Sequence, residues 1–172
     1  MIAARSFPLI MILLLFIGSF LILFIKEKDA VKKLSLFNSN IVFLLSVFTL
    51  FYVLRNGEYV YKIGHWDAPW GVVLKVGVIE AVLGVTFAFV ANLVIWYSIY
   101  GIEKELQMHR IPFYYLLLQI LTGALLGIVF SDDLFNCFVF IEISTLASCG
   151  IIVAKDKKEN IRAAFRYLVL SC

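Results

Sequence analysis

Apolar residues in this chain fall into long, nearly unbroken runs separated by short polar stretches, without the alternation of a half-buried strand. The runs cover residues 7–25, 34–54, 73–100, 111–130 and 134–154, and a partial sixth occupies 161–172. A helix rising about 1.5 Å per residue needs about 20 such residues to cross the hydrocarbon core of a bilayer. The first five runs approach or exceed that length. Lipid satisfies no backbone N–H or C=O group, so only helices and closed barrels span it, and barrel strands would alternate. The expected fold is therefore all-α: a polytopic transmembrane helix bundle of about five to six spans, with residues 1–172 forming a single transmembrane domain. The first run is expected to be retained rather than cleaved as a leader. Only Arg5 precedes its apolar stretch, and no small-residue cleavage site follows before "KEKDAVKK".

Composition agrees with the pattern. Hydrophobic residues make up 63% of the chain and charged residues 16%, against about 25% charged in soluble proteins. The mean hydropathy is +0.98. The reading is a multi-pass protein of the cell membrane, with the lipid bilayer as its solvent. Basic residues are unevenly placed. Lys26, Lys28, Lys32 and Lys33 follow the first run, Lys104 and Arg110 the third, and Lys155, Lys157, Lys158, Arg162 and Arg166 the fifth. Only Arg5, Arg55, Lys62 and Lys75 fall on the other side. Because Lys and Arg stay cytoplasmic in short loops, the N-terminus is expected outside the cytoplasm. The net charge of +3 follows from this topology and implies no nucleic-acid partner.

Soluble-enzyme chemistry finds little support. Cys137, Cys149 and Cys172 have no metal-ligand spacing and sit in or against apolar runs, where small buried hydrophobes are expected. His65 and His109 fall in loops, so no histidine pair faces a haem. No phosphate-binding glycine loop, nucleophile elbow or acidic metal motif is present, and no catalytic residue, metal or cofactor is expected. The stretch 55–73, "RNGEYVYKIGHWDAPWGVV", mixes Tyr59, Tyr61, Trp66 and Trp70 with Gly and Pro. It reads as an outer hairpin or re-entrant turn whose rings anchor at headgroup level.

Two acids interrupt the apolar runs. Glu80 shares a helical face with Gly77, Ala81, Gly84, Ala88, Ala91 and Asn92, a small-residue stripe of the kind that lets membrane helices approach closely. It either points into the bundle or snorkels toward headgroups near Lys75. Glu142 lies eight residues after Leu134, about 12 Å along a helix and close to the bilayer midplane. Thr145 and Cys149 share its side of the helix, and Ser144 and Ser148 extend a polar arc there. A midplane acid costs on the order of 3 kcal/mol to insert. Proton or cation handling through Glu142, with Thr145 and Ser148 beside it, stands against a packing role in which the acid is protonated or paired.

The segments "YKIGHWDAPWGVVL", "SDDLFNCFVFIEISTLASCGIIV" and "ENIRAAFRYLVLSC" together resemble the N-terminal part of the antiporter-like subunits of Mrp-type cation/proton antiporters, respiratory complex I and membrane-bound hydrogenases. The matching positions are Gly64, Trp66, Pro69 and Gly71, then Asp133 to Asn136 with Glu142, then Ala164, Arg166 and Tyr167. The resemblance covers about residues 60–172, and the first two spans agree in topology only. It implies that Glu142 is half of an ion pair controlling the protonation of a lysine on a later helix. Where many members carry an Asp after the outer loop, this chain has Gly77, with Glu80 one turn on.

Family members have many more spans. The resemblance therefore implies either a subunit split between polypeptides, with a second chain completing the fold, supplying the intramembrane Lys and meeting Cys172, or a shortened relative kept as a scaffold. The expected partners are the other membrane subunits of an ion-pumping respiratory, hydrogenase or Mrp-type complex. The two functions that follow are an ion-path subunit carrying Glu142 and a structural module without its own path.

Overall fold

The computed structural model describes residues 5–25, 27–63, 72–155 and 158–171. Gly64, His65, Trp66, Pro69, Trp70 and Gly71, with Lys26, Lys157 and Cys172, lie outside the described residues, and so do the expectations placed on them. The elements in chain order are α1 (Phe7–Ile22), α2 (Lys28–Asn56), β1 (Tyr59–Lys62), β2 (Val73–Val76), α3 (Val78–Glu105), a 3₁₀ turn (Met108–Arg110), α4 (Ile111–Phe130), α5 (Leu134–Val153) and α6 (Lys158–Ser171). Among the described residues, α2, α3, α5 and the segment Met108–Phe130 are long and apolar enough to cross a membrane; α1 is shorter, at 16 residues. The apolar run past α1 winds on through Ile25, with the amides of Leu23, Phe24 and Ile25 donating to carbonyls three residues back. Such tightening satisfies the last carbonyls of a helix.

Among the described residues, the fold is a helical bundle carrying one small hairpin. Helix α2 has 29 residues, about 43 Å, so its basic first turns and Arg55 extend beyond the hydrocarbon. It ends at Gly57, whose φ of 83° suits a residue without Cβ, and the Gly57 amide donates to the Val53 carbonyl at 2.8 Å.

Residues 73–76, expected to begin the third span, form β2 instead. Strands β1 and β2 pair antiparallel, with Tyr59 opposite Val76 and Lys62 opposite Val73. Valine-rich "VLKV" suits a strand, and the alternatives are settled by contacts distant in sequence: Leu74 bridges Ser131, and the Asp132 amide donates to the Val73 carbonyl at 3.0 Å. Lys75 is therefore not on the helix that carries Glu80. Helix α3 starts only after Gly77, an extended residue whose amide donates to the Glu80 carboxylate at 3.0 Å.

Helix α4 occupies the centre of the bundle, packed against α1, α2, α3 and α5. Ile111, Tyr115, Gln119, Ala124 and Leu126 are fully enclosed. The small-residue stripe of α3 packs as its composition requires, with Ala81, Gly84, Ala88 and Asn92 all buried. A Cβ on Gly84 would come within 2.8 Å of the Phe130 ring of α4. Contact at that range is how membrane helices gain van der Waals attraction without a hydrophobic drive.

Candidate functional site

Helix α5 is set by its own first turn. Asp133 stands at its N-cap and accepts from the Asn136 amide at 2.8 Å, and the Asn136 side chain also donates to the Asp133 carboxylate. This cap satisfies a backbone donor that lipid could not. Both α3 and α5 begin beside the hairpin, since β2 leads into α3 and bridges the residues just before α5. Glu80 is two residues into α3, about 3 Å, whereas Glu142 is eight residues into α5, about 12 Å. The two acids thus sit at different depths.

Glu80 turns its carboxylate back to the start of its own helix, where the Gly77 amide and the positive end of the helix dipole hold it. Glu142 is half-buried, and among the described residues its carboxylate has neither a hydrogen bond nor an ion pair. Thr145 Oγ1 donates to the Glu142 main-chain carbonyl at 2.9 Å, and Ser148 Oγ donates to the Ser144 carbonyl at 2.8 Å. Both hydroxyl protons are used within α5, leaving lone pairs as what these side chains can offer a cation or water. Thr145 and Cys149 are buried, and the Cys149 thiol lies 3.6 Å from the Ala164 carbonyl of α6. Much of the same side is uncovered: Phe135 is 72% exposed and Phe138 59% toward the start of α5, and Leu146, one turn beyond Glu142, 57%. Glu142 therefore stands at the edge of an apolar surface that no described element of this chain covers.

A second set of polar residues links the helices, and of these only Lys32 and Asn92 stood out in the sequence, neither as part of such a set. Between α2 and α4, the Asn38 amide donates to Gln119 Oε1 at 3.2 Å, and Gln119 Nε2 donates to Ser35 Oγ at 3.1 Å. Between α2 and α3, Asn92 donates to Asn40 at 3.2 Å. Between α3 and α4, the hydroxyls of Ser98 and Tyr115 are hydrogen-bonded at 2.9 Å. At the end away from the hairpin, Lys32 is largely buried and pairs with Glu103 at 2.5 Å. The signal was present in α2, where Lys32, Ser35, Ser39, Ser46 and Thr49 recur at helical spacing on one buried face. These groups pair with one another across helices, which suits holding the bundle in register.

Above this seam the hairpin buries Tyr59 edge-on against Tyr52, with ring centroids 5.6 Å apart. The Tyr59 hydroxyl has no hydrogen-bond partner among the described residues. Burial, assisted by Tyr52 and opposed by Arg5, pushes its pKa up to about 12. No group of three or more His, Cys, Asp or Glu side chains suited to hold a metal ion occurs among the described residues.

No protein-family model matches the chain. The chain is 33% identical over 156 residues to a Na(+)/H(+) antiporter subunit of Alkalihalophilus pseudofirmus, a match covering 90% of this chain and 31% of that relative. It thus spans about a third of that protein's length. Its fold matches a chain of the Mrp complex from Dietzia sp. DQ12-45-1b with a TM-score of 0.85 and 17% identity, covering 99% of this chain and 32% of that one. It also matches a chain of the membrane-bound sulfane sulfur reductase, an archaeal respiratory membrane complex, with a TM-score of 0.77 and 22% identity, covering 97% and 33%. In sequence this multi-pass membrane chain is similar to about one third of an antiporter subunit, and in fold to about one third of a chain in each of two membrane complexes.

Proposed function

We propose that this chain is the carboxylate-bearing part of a proton- or sodium-translocating antiporter-like subunit in an Mrp-type or related respiratory complex, with Glu142 in the ion path. The observation that carries the reading is the environment of Glu142: a carboxylate about 12 Å into a membrane helix, with no partner among the described residues, beside an uncovered apolar surface. A carboxylate so placed is stable when a basic group from outside this bundle meets it. At about 4 Å and an effective dielectric of about 20 the attraction is about 4 kcal/mol, comparable with the insertion cost. A lysine on a neighbouring membrane segment fits. Protonating the carboxylate, or deprotonating the lysine, weakens the pair and frees the other member, which lets it gate a proton. Thr145 and Ser148 supply acceptor oxygens on the same helix. Glu80, held by the Gly77 amide, has the lesser role of fixing the start of α3. The N-terminus lies outside the cytoplasm in this reading, and the partners are the other membrane subunits of the complex.

A second reading, a scaffold without its own path, draws on the seam at Gln119, whose polar groups bond one another. Glu142→Gln separates the two, because it keeps shape and removes charge. In the assembled complex, the ion-path reading expects normal subunit content and strongly reduced cation-coupled proton transport in membrane vesicles. Normal transport by Glu142→Gln leaves the scaffold.

A further inference from the structure

At the end of the bundle away from the hairpin, two apolar grooves share Phe113 on α4, which is 58% exposed, as a common wall residue. The first, about 480 Å³, lies between α4 and α5 over Leu117, Gly150 and Val153. The second, about 430 Å³, lies between α1 and α4 over Ile22, Pro112 and Leu116. Gly150 keeps the first groove open: a side chain there would meet Leu117 at 2.7 Å. Both grooves are lined by His109 as well as Phe113, and their other ionisable lining residues are Arg110 in the first and Lys28 in the second; no acid lines either among the described residues.

From Arg110 to Leu117 the first groove descends about 10 Å along α4, within the depth of one leaflet. Two neighbouring apolar grooves that share Phe113 and His109, each with a basic lining residue, match a molecule with two hydrocarbon tails and one anionic head. We propose that this end of the bundle binds an anionic glycerophospholipid of the surrounding leaflet. One acyl chain lies on each side of Phe113, and the phosphate is held by Lys28 and Arg110. Arg110 donates one guanidinium nitrogen to the Val153 carbonyl at 3.2 Å and Nε toward His109 at 3.4 Å, which orients the fork at the groove rim, and phosphate is an anion whose geometry such a fork matches. Lys28 touches the Met108 sulfur at 2.8 Å, a weak acceptor that a phosphate oxygen readily displaces. Basic pockets between membrane helices recognise anionic headgroups by this combination of charge and apolar walls.

The test uses the protein in its native assembly, reconstituted in vesicles of phosphatidylcholine doped with a trace of phosphatidylglycerol or phosphatidylcholine bearing a photoreactive acyl chain. Peptide mapping then reads labelling near Phe113 and Leu117 and near Val153. The phosphatidylglycerol probe should label both regions about tenfold more than the phosphatidylcholine probe. Lys28→Gln, which spares the Arg110 contact to α5, should lower that preference severalfold, and Lys28→Gln with Arg110→Gln should abolish it. Equal labelling by both probes means adventitious annular lipid and overturns the proposal. No labelling of either region means that another polypeptide segment fills the grooves and overturns it as well, as does an undiminished preference in Lys28→Gln.

Discussion

Asn38 of α2 and Gln119 of α4, 81 positions apart in sequence, meet side chain to side chain at 3.2 Å inside the bundle, and Gly18 of α1 lies against the pair. A Cβ on Gly18 would overlap the Asn38 amide nitrogen and fall 2.6 Å from Gln119 Oε1. The glycine is what allows α1 to close over a polar pair already satisfied between α2 and α4.

Gly18→Ala should therefore destabilise the bundle by about 1–3 kcal/mol, the range for an overpacked core. Asn38→Ala removes the closer of the two clashing groups, leaving Gln119 Oε1, and should recover part of that loss in the double variant. Thermal unfolding in detergent, followed by helical circular dichroism, measures the cycle. Equal losses from Gly18→Ala with and without Asn38 contradict the contact. Gln119→Leu alone should cost about 0.6–1.7 kcal/mol, between the average and the largest value for interhelical hydrogen bonds in membranes.

The Lys32–Glu103 pair makes an asymmetric prediction. Lys32 is buried and Glu103 half-exposed, so Glu103→Gln leaves a buried cation without its counter-charge, whereas Lys32→Met removes the cation and keeps the packing stem. Glu103→Gln should lower the thermal midpoint more than Lys32→Met. The double variant should resemble Lys32→Met, and a larger loss in Lys32→Met than in Glu103→Gln counts against the pairing.

Tyr59 predicts an alkaline limit. Its folded-state pKa of about 12 stands above the ordinary tyrosine value of 10.0, chiefly because burial disfavours the phenolate. A raised folded pKa leaves stability intact below pH 10 and removes it progressively as pH climbs from 10 toward 12. Phenolate absorbance should show a late-titrating component, and that component should shrink by one tyrosine in Tyr59→Phe. The same variant removes a hydroxyl without a partner among the described residues, so its stability at neutral pH should equal or exceed the parent's.

The two ends of α2 predict the topology. Lys33 is exposed at one end, and Lys75 is exposed in the hairpin that follows the other. In a background without native cysteines, Lys75→Cys should react with an impermeant maleimide on intact cells and Lys33→Cys only after permeabilisation. The reverse pattern inverts the orientation.

Sequence alone determined the helices, because backbone hydrogen bonding in lipid is a local matter: an apolar run near 20 residues long has helix as its solution wherever its neighbours lie. Thus 111–130 and 134–154 were legible almost to the residue, as were the acid at Glu142 and the small-residue face of α3. Only tertiary structure decided that Val73–Val76 is a strand, because its carbonyl and amide partners come from β1 and from residues 131–132. Only tertiary structure joined Asn38 to Gln119 and Gln119 to Ser35, contacts across 81 and 84 positions that no local period encodes. The surroundings of Glu142 belong to the same class. Its place along α5 follows from counting residues, while the uncovered surface beside it follows from where α4 and α6 pack, since covering a side chain is a property of neighbours rather than of the helix that bears it.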